Sequence, residues 1–248
     1  MDIILHGAKG QMGVSLEALI SESSDLHIAA GIDPLIDGGE AYPGFSQLAD
    51  CPIPAQVILD FSNHAALSGL LTYALQRQIP LVLATTAFTD AEYQMVLEAA
   101  KQLPIFHAAN LSVGIQSVVK ALQALVPLLE PDFHMEIVEK HHSRKADSPS
   151  GTALRLADTI NDCCTQKKEY IYGRHGTDTQ GNIRQLGIHA IRGGTIAGEH
   201  ILIFAGPDEL IELKHTALSR RIFASGALRA ARFIVEQNPG LFSMADLI

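Results

Sequence analysis

Residues 136–152, EIVEKHHSRKADSPSGT, place two adjacent histidines, two cations and a small polar turn on one short stretch. Imidazole titrates nearer neutrality than other side chains, so His141 and His142 are candidates for proton transfer. Arg144 and Lys145 add positive charge beside them. The apolar positions Leu154, Leu156, Ala157 and Ile160 then predict a helix, with Ser148 or Ser150 as its cap. N–H groups around Gly151 and Thr152, at the positive end of that helix dipole, would receive an anion the size of a carboxylate. A proton, a cation and an anion pocket together describe a site for an anionic substrate. Each part also has a plainer reading as a core histidine, a solvated charge or an ordinary helix cap, and it is the clustering that favours chemistry. Zinc competes for a histidine pair, but no HxxxH helix and no nearby cysteine completes a ligand set.

These side chains need elements to aim them. Phe133, Met135 and Ile137 alternate with His134 and Glu136, which predicts a half-buried strand leading into His141 and His142. Neighbours on a strand face opposite sides, so only one histidine would face a given ligand unless the strand has ended. Upstream, Ile115, Val118, Val119, Leu122, Leu125, Val126 and Leu129 predict an amphipathic helix closed by Pro131, joining a cofactor domain to a second one. Downstream, strand-like runs at 187–192, 200–204 and 210–215 between glycine-rich turns predict a mixed or antiparallel sheet.

The first third of the chain has a different rhythm. Ile3, Ile4 and Leu5 predict a buried parallel strand that ends at His6 and meets Gly7-Ala-Lys-Gly10-Gln-Met-Gly13. A helix follows, with Leu16, Leu19 and Ile20 on its apolar face. Strand, glycine turn and helix form a pyrophosphate cradle, although the spacing is not the commoner GxGxxG. A second strand, 26–33, ends in Asp33, about 20 residues past the loop where a ribose-binding carboxylate is expected. The same Asp33 could serve as a turn former before Pro34. A carboxylate there disfavours the 2′-phosphate of NADP, and Lys9 would partly offset it, so NAD preference or dual use is expected. Further strands at 57–60, 81–84 and 104–106 open into 61–64, 85–88 and 107–110, the strand ends where ligands of open parallel sheets collect. The fold class predicted is α/β: a Rossmann-like parallel-sheet dinucleotide-binding domain plus an α+β domain with a mixed or antiparallel sheet.

Composition narrows the partners. A net charge of −9 over 248 residues argues against nucleic acid, whose binding surfaces carry a basic excess. No run approaches the roughly 20 apolar residues that span a bilayer, so no membrane partner is expected. Three cysteines, Cys51, Cys163 and Cys164, lack metal spacing and a full set of pairs, which predicts reduced thiols. With no leader-like N-terminus, a cytoplasmic location is expected.

Taken together, the motifs resemble one family: dihydrodipicolinate reductase, also called 4-hydroxy-tetrahydrodipicolinate reductase, of bacterial and plant lysine and diaminopimelate biosynthesis. Residues 7–13 are similar to its nucleotide loop, 60–62 (DFS) to its DFT, 84–87 (ATTA) to its GTTG and 109–114 (ANLSVG) to its NFSVG segment. Residues 139–152 resemble its signature, ExHHxxKxDAPSGT, and the likeness covers nearly the whole chain. The resemblance implies hydride transfer from NADH and/or NADPH to a small cyclic, conjugated dicarboxylate, giving tetrahydrodipicolinate. It implies His141 as proton donor and Lys145 as the partner that stabilises developing charge, with His142, Lys145, Gly151 and Thr152 gripping a substrate carboxylate. Gly7, Lys9, Gly10, Gln11, Met12, Gly13, Asp33, Ala84, Thr85, Thr86, Ala108, Ala109 and Asn110 would hold the cofactor, with no metal. It further implies a homotetramer formed through the second domain, with domains at 1–112 plus 220–248 and at 113–219. Ala84 and Ala87 replace both glycines of GTTG, Leu111 replaces Phe and Ser148 replaces Ala. A positive φ at either alanine would strain the loop. Two other readings are a catalytically silent dinucleotide-binding protein and a dehydrogenase of another substrate.

Overall fold

Continuous apolar runs become buried parallel strands because helices cover both faces of such a sheet. The computed structural model describes residues 1–130, 132–177 and 179–248; the helix stop expected at Pro131 lies outside them. In chain order the first elements are β1 (Asp2–His6), α1 (Gln11–Ser21), β2 (His27–Ile32), β3 (Gly44–Phe45), β4 (Val57–Asp60) and α2 (Leu67–Arg77). Then come β5 (Leu81–Leu83), α3 (Asp90–Ala100), β6 (Pro104–His107), α4 (Val113–Leu129), β7 (His134–His141) and α5 (Gly151–Cys163). The last are β8 (Glu169–Tyr172), β9 (Gln185–Arg192), β10 (Gly198–Ala205), β11 (Leu210–Ala217), α6 (Arg221–Ile234), β12 (Gly240–Phe242) and α7 (Met244–Leu247). The chain divides into two compact units, Met1–Val113 with Arg220–Ile248, and Gly114–Ser219.

The first unit holds, among the described residues, a parallel sheet in the order β12-β6-β5-β4-β1-β2-β3. Successive residues of β1 enter different cores: Ile3 and Leu5 join Leu16 and the small residues of α6, while Ile4 joins Leu70, Leu71 and Val96 of α2 and α3. That alternation is what a strand covered on both faces must show. Helix α3 starts at a capping box, in which Thr89 Oγ1 accepts from Glu92 N–H at 3.2 Å and Glu92 accepts from Thr89 N–H at 2.7 Å. Gly226 lets α6 lie close to the 111 backbone, since a Cβ there would overlap the Leu111 carbonyl oxygen.

The second unit holds a mixed sheet in the order β11-β10-β7-β9-β8. Strands β7, β10 and β11 pair antiparallel, and β7, β9 and β8 pair parallel. Met135, Ile137, Leu186, Ile188, Leu202 and Phe204 fill one face, against Leu156, Ala157 and Ile160 of α5 and Leu122 and Val126 of α4. The same face continues to the strand end as Glu139 and His141, so the period of two that builds the core also delivers these polar side chains. Beyond its last apolar layer the core becomes a site.

Candidate active site

Glu139 is fully buried, and each of its carboxylate oxygens has two partners. Arg192 Nη1 and the Nδ1 of His141 lie 2.7 Å from Oε2. Arg192 Nη2 at 2.7 Å and the Ser150 N–H at 2.9 Å donate to Oε1. Arg192 reaches Glu139 because β9 runs parallel to β7 in a register that sets it opposite His141. Its second nitrogen also donates to the Asp147 carbonyl at 2.7 Å, tying the following loop to the strand end. Burial pushes the Glu139 carboxyl up, but the bonds from Arg192, His141 and Ser150 outweigh it and hold it below the ordinary 4.5.

Around His141 lie further imidazoles. The His200 ring stands edge-on to it, with centroids 5.3 Å apart, and His200 Nε2 is 3.0 Å from the Ser150 hydroxyl. Burial foremost, then the Coulombic effect of neighbouring His141, lowers His200 to about 4, so it is neutral near pH 7. His215 sits across from His200 in the β10–β11 register. Gly198 faces His141, and a Cβ there would come 3.1 Å from Nε2. Among the described residues no group of three or more His, Cys, Asp or Glu is arranged to hold a metal ion.

Ser150, rather than Ser148, caps α5, accepting from the Ala153 N–H at 3.1 Å. His141 is the last residue of β7 and His142 lies just beyond it, so the rule of opposite faces no longer binds the second histidine. Lys145 Nζ lies 2.8 Å from Asp147 Oδ1, and the Gly151 N–H also turns to that carboxylate. A carboxylate therefore already rests between two of the groups expected to hold one. The structure thus brings His141, His142, Lys145, Gly151 and Thr152 onto one strand end, the loop that follows it and the first turn of α5.

In the first unit the expected cofactor residues line the C-terminal edge of the parallel sheet. Gly7 has φ +84°, and a Cβ on it would lie 2.6 Å from the Phe61 carbonyl oxygen. At Gly13 a Cβ would meet the Ala8 and Gly7 carbonyl oxygens, the second at 2.5 Å. No side chain caps α1, and the N–H groups of Gln11, Met12 and Gly13 precede its first helical bond, Val14 N–H to Gly10 O. Asp33 both forms its turn, through Leu35 N–H at 2.9 Å, and fastens the glycine loop, through Lys9 N–H at 3.0 Å. The Lys9 ammonium instead pairs with Glu40, and with Asp37 at 3.6 Å. A cleft of about 840 Å³ opens here, lined by Gly7, Gly10, Asp33, Phe61, Asn63 and Ala66. Bare glycines, an uncapped helix start and a carboxylate at the second strand end fit a dinucleotide.

The other two loops join the same edge. Thr85 Oγ1 donates to buried Asp60 at 2.7 Å, and His6 Nδ1 lies 2.8 Å from the same carboxylate, close enough to pair but not aligned to hydrogen-bond. The Ala84 and Ala108 N–H groups are used by the sheet, on Asp60 O and Leu83 O. Asn110 Oδ1 accepts from Ser112 N–H at 2.8 Å, closing the turn after Ala109. Of the two alanines standing for glycine, only Ala87 has positive φ, at +63°.

Sequence reasoning assigns no site role to several residues that shape both regions: Glu139, Arg192 and His200 in the second unit, and His6, Asp60 and Glu40 in the first. Glu139 carries a local signal, as an acid two positions before a histidine on an alternating strand. Arg192 carries none, since its pairing depends on a register 53 residues away.

Comparison with known proteins adds an independent line. The family model "Dihydrodipicolinate reductase, N-terminus" matches residues 1–111, and "Dihydrodipicolinate reductase, C-terminus" matches residues 114–248. The 4-hydroxy-tetrahydrodipicolinate reductase of Caldanaerobacter subterraneus subsp. tengcongensis is 44% identical over 99% of this chain and 97% of its own. That of Clostridium novyi is 43% identical over the same shares. Among solved structures, a dipicolinate-bound dihydrodipicolinate reductase from Paenisporosarcina sp. TG-14 superposes with a TM-score of 0.84 at 22% identity, covering 100% of this chain and 99% of that one. It shares the fold.

Proposed function

Because the chain belongs to the dihydrodipicolinate reductase family, we infer that it reduces 4-hydroxy-tetrahydrodipicolinate to tetrahydrodipicolinate with a nicotinamide cofactor, in lysine and diaminopimelate biosynthesis. Water leaves the substrate, and the product gains a hydride and a proton. The bound nicotinamide supplies the hydride. The observation that carries the reading is His141, set at a strand end beside a loop already cradling a carboxylate.

In the second unit His141 gives the proton, while the substrate's carboxylate takes the place of Asp147 against Lys145 and the Gly151 N–H, with His142 and Thr152 completing the grip. Lys145 keeps positive charge beside the ring as electron density builds there. In the first unit the N–H groups of residues 11–13 would receive the pyrophosphate, Asp33 would receive a ribose hydroxyl, and residues 84–86 and 108–110 would hold the nicotinamide end. NADH is favoured over NADPH, because a 2′-phosphate would meet Asp33, Asp37 and Glu40, and Lys9 is engaged by the last two. Glu40 is held at about 2, by its bond to Lys9 foremost, and so stays charged.

The protein acts in the cytoplasm as a homotetramer, assembled through the outer face of the second unit's sheet. That face carries Val138, Ile201 and Ile203 half-buried, with Ile191 exposed. Sedimentation at four times the 26.7 kDa chain mass is expected, and a monomer would refute it. For activity, NADH oxidation should depend on freshly generated 4-hydroxy-tetrahydrodipicolinate and be competed by pyridine-2,6-dicarboxylate. Cofactor binding with no substrate-dependent oxidation would overturn the reading.

A further inference from the structure

We propose that Glu139 is a positioning residue that fixes the ring plane and tautomer of His141, keeping one proton on Nδ1 so that Nε2 is the atom from which the catalytic proton leaves. This inference rests on the reductase reading and adds a residue to it.

The logic begins with donors and acceptors. An ionised carboxylate only accepts hydrogen bonds. Arg192 occupies both Glu139 oxygens from one side with two bonds of 2.7 Å, the geometry of a bidentate guanidinium–carboxylate pair. The Ser150 N–H holds Oε1 at 2.9 Å. What remains for His141 Nδ1, 2.7 Å from Oε2, is to donate. In a free histidine side chain the two ring nitrogens are distinct and the neutral ring carries its proton mainly on Nε2; a carboxylate at Nδ1 inverts that choice.

Nε2 is then the only ring nitrogen able to lose its proton outward. It faces Gly198, where any side chain would crowd it, and the perpendicular His200 ring limits rotation of the plane. His200 is itself held by the Ser150 hydroxyl at 3.0 Å, so the parts that orient His141 share Ser150 with the cap of α5.

The proton step balances without a further reactant. As hydride enters the substrate, the Nε2–H bond of imidazolium His141 breaks, its electron pair stays on nitrogen, and the proton bonds to the substrate atom made basic by reduction. Neutral His141 keeps Nδ1–H toward Glu139 and regains the Nε2 proton from solvent. The carboxylate stabilises the charged ring before transfer and selects the tautomer after it, as a buried acid does for a catalytic histidine in hydrolases.

Glu139→Gln tests this, since it keeps the volume and removes the charge. The turnover number should fall about 100-fold, within the range general acid catalysis supplies, with KM changed only a few-fold. In the unaltered protein, ¹⁵N spectra of the histidine rings, with His141 assigned by its loss in His141→Gln, should show the neutral ring protonated at Nδ1. Wild-type turnover in E139Q overturns the proposal, and so does a neutral His141 protonated at Nε2. If E139Q does not fold, the ¹⁵N result decides alone. Should His141→Gln itself retain wild-type turnover, the proton-donor reading fails first, which separates the two claims.

Discussion

His200 shows how one side chain can be committed to a role by what surrounds it. It lies on the same sheet face as Glu139 and His141, and burial keeps it neutral down to about pH 4. The unfolded chain takes up this proton near 6.5, the folded chain only near 4, so between those values the unfolded state binds more protons. Stability should therefore fall as pH drops from about 6.5 to about 4, and His200's share should vanish in His200→Gln. Urea unfolding of both proteins across that window measures the difference; parallel curves would show that His200 adds no pH dependence. Ala87 is the opposite case, a residue at odds with its surroundings. An alanine held near φ +63° costs on the order of 1–2 kcal/mol, which explains why the family's pattern has glycine there. Sequence alone showed the departure from the pattern but not which alanine bears the strain, because φ follows from loop geometry.

At the scale of elements, what was legible follows from what each element depends on. Strands β1, β2, β4, β5 and β6 declare themselves as apolar runs, and α1, α4 and α5 by their period, because burial on a known face dictates those patterns. Strand β3, Gly44–Phe45, and β12, Gly240–Phe242, are too short to hold a pattern and exist only through pairing with β2 and β6. Among the described residues, strand β8 pairs only with β9, and the sequence reading does not find it either. The candidate site was legible where its residues are contiguous, at 141–152, and illegible where register brings in Arg192 and His200. The turn between β1 and α1 carries the sharpest steric demand. Gly13→Ala would drive a methyl group into the Ala8 and Gly7 carbonyls, a clash worth about 1–3 kcal/mol if the loop yields. NADH affinity should drop by about tenfold or more, at about 1.4 kcal/mol per factor of ten. Titration by nucleotide fluorescence checks it, and unchanged affinity would remove the close-packed cradle from the binding site.

For the molecule as a whole, we propose that two units divide the labour: the first supplies a dinucleotide cradle with an acidic rim, the second a proton donor and an anion grip. The rim predicts selectivity, with the dissociation constant for NADH about tenfold or more below that for NADPH, and Glu40→Gln narrowing the gap by releasing Lys9. Equal affinities in the unaltered protein would show that the carboxylates do not face the ribose. The central claim is that the second unit's histidine completes a reduction begun by the first unit's cofactor. Steady-state kinetics of His141→Gln with NADH and 4-hydroxy-tetrahydrodipicolinate test it most directly. The predicted result is a turnover number lowered by roughly 10²–10⁴ with KM changed only a few-fold; wild-type turnover in that variant would contradict it.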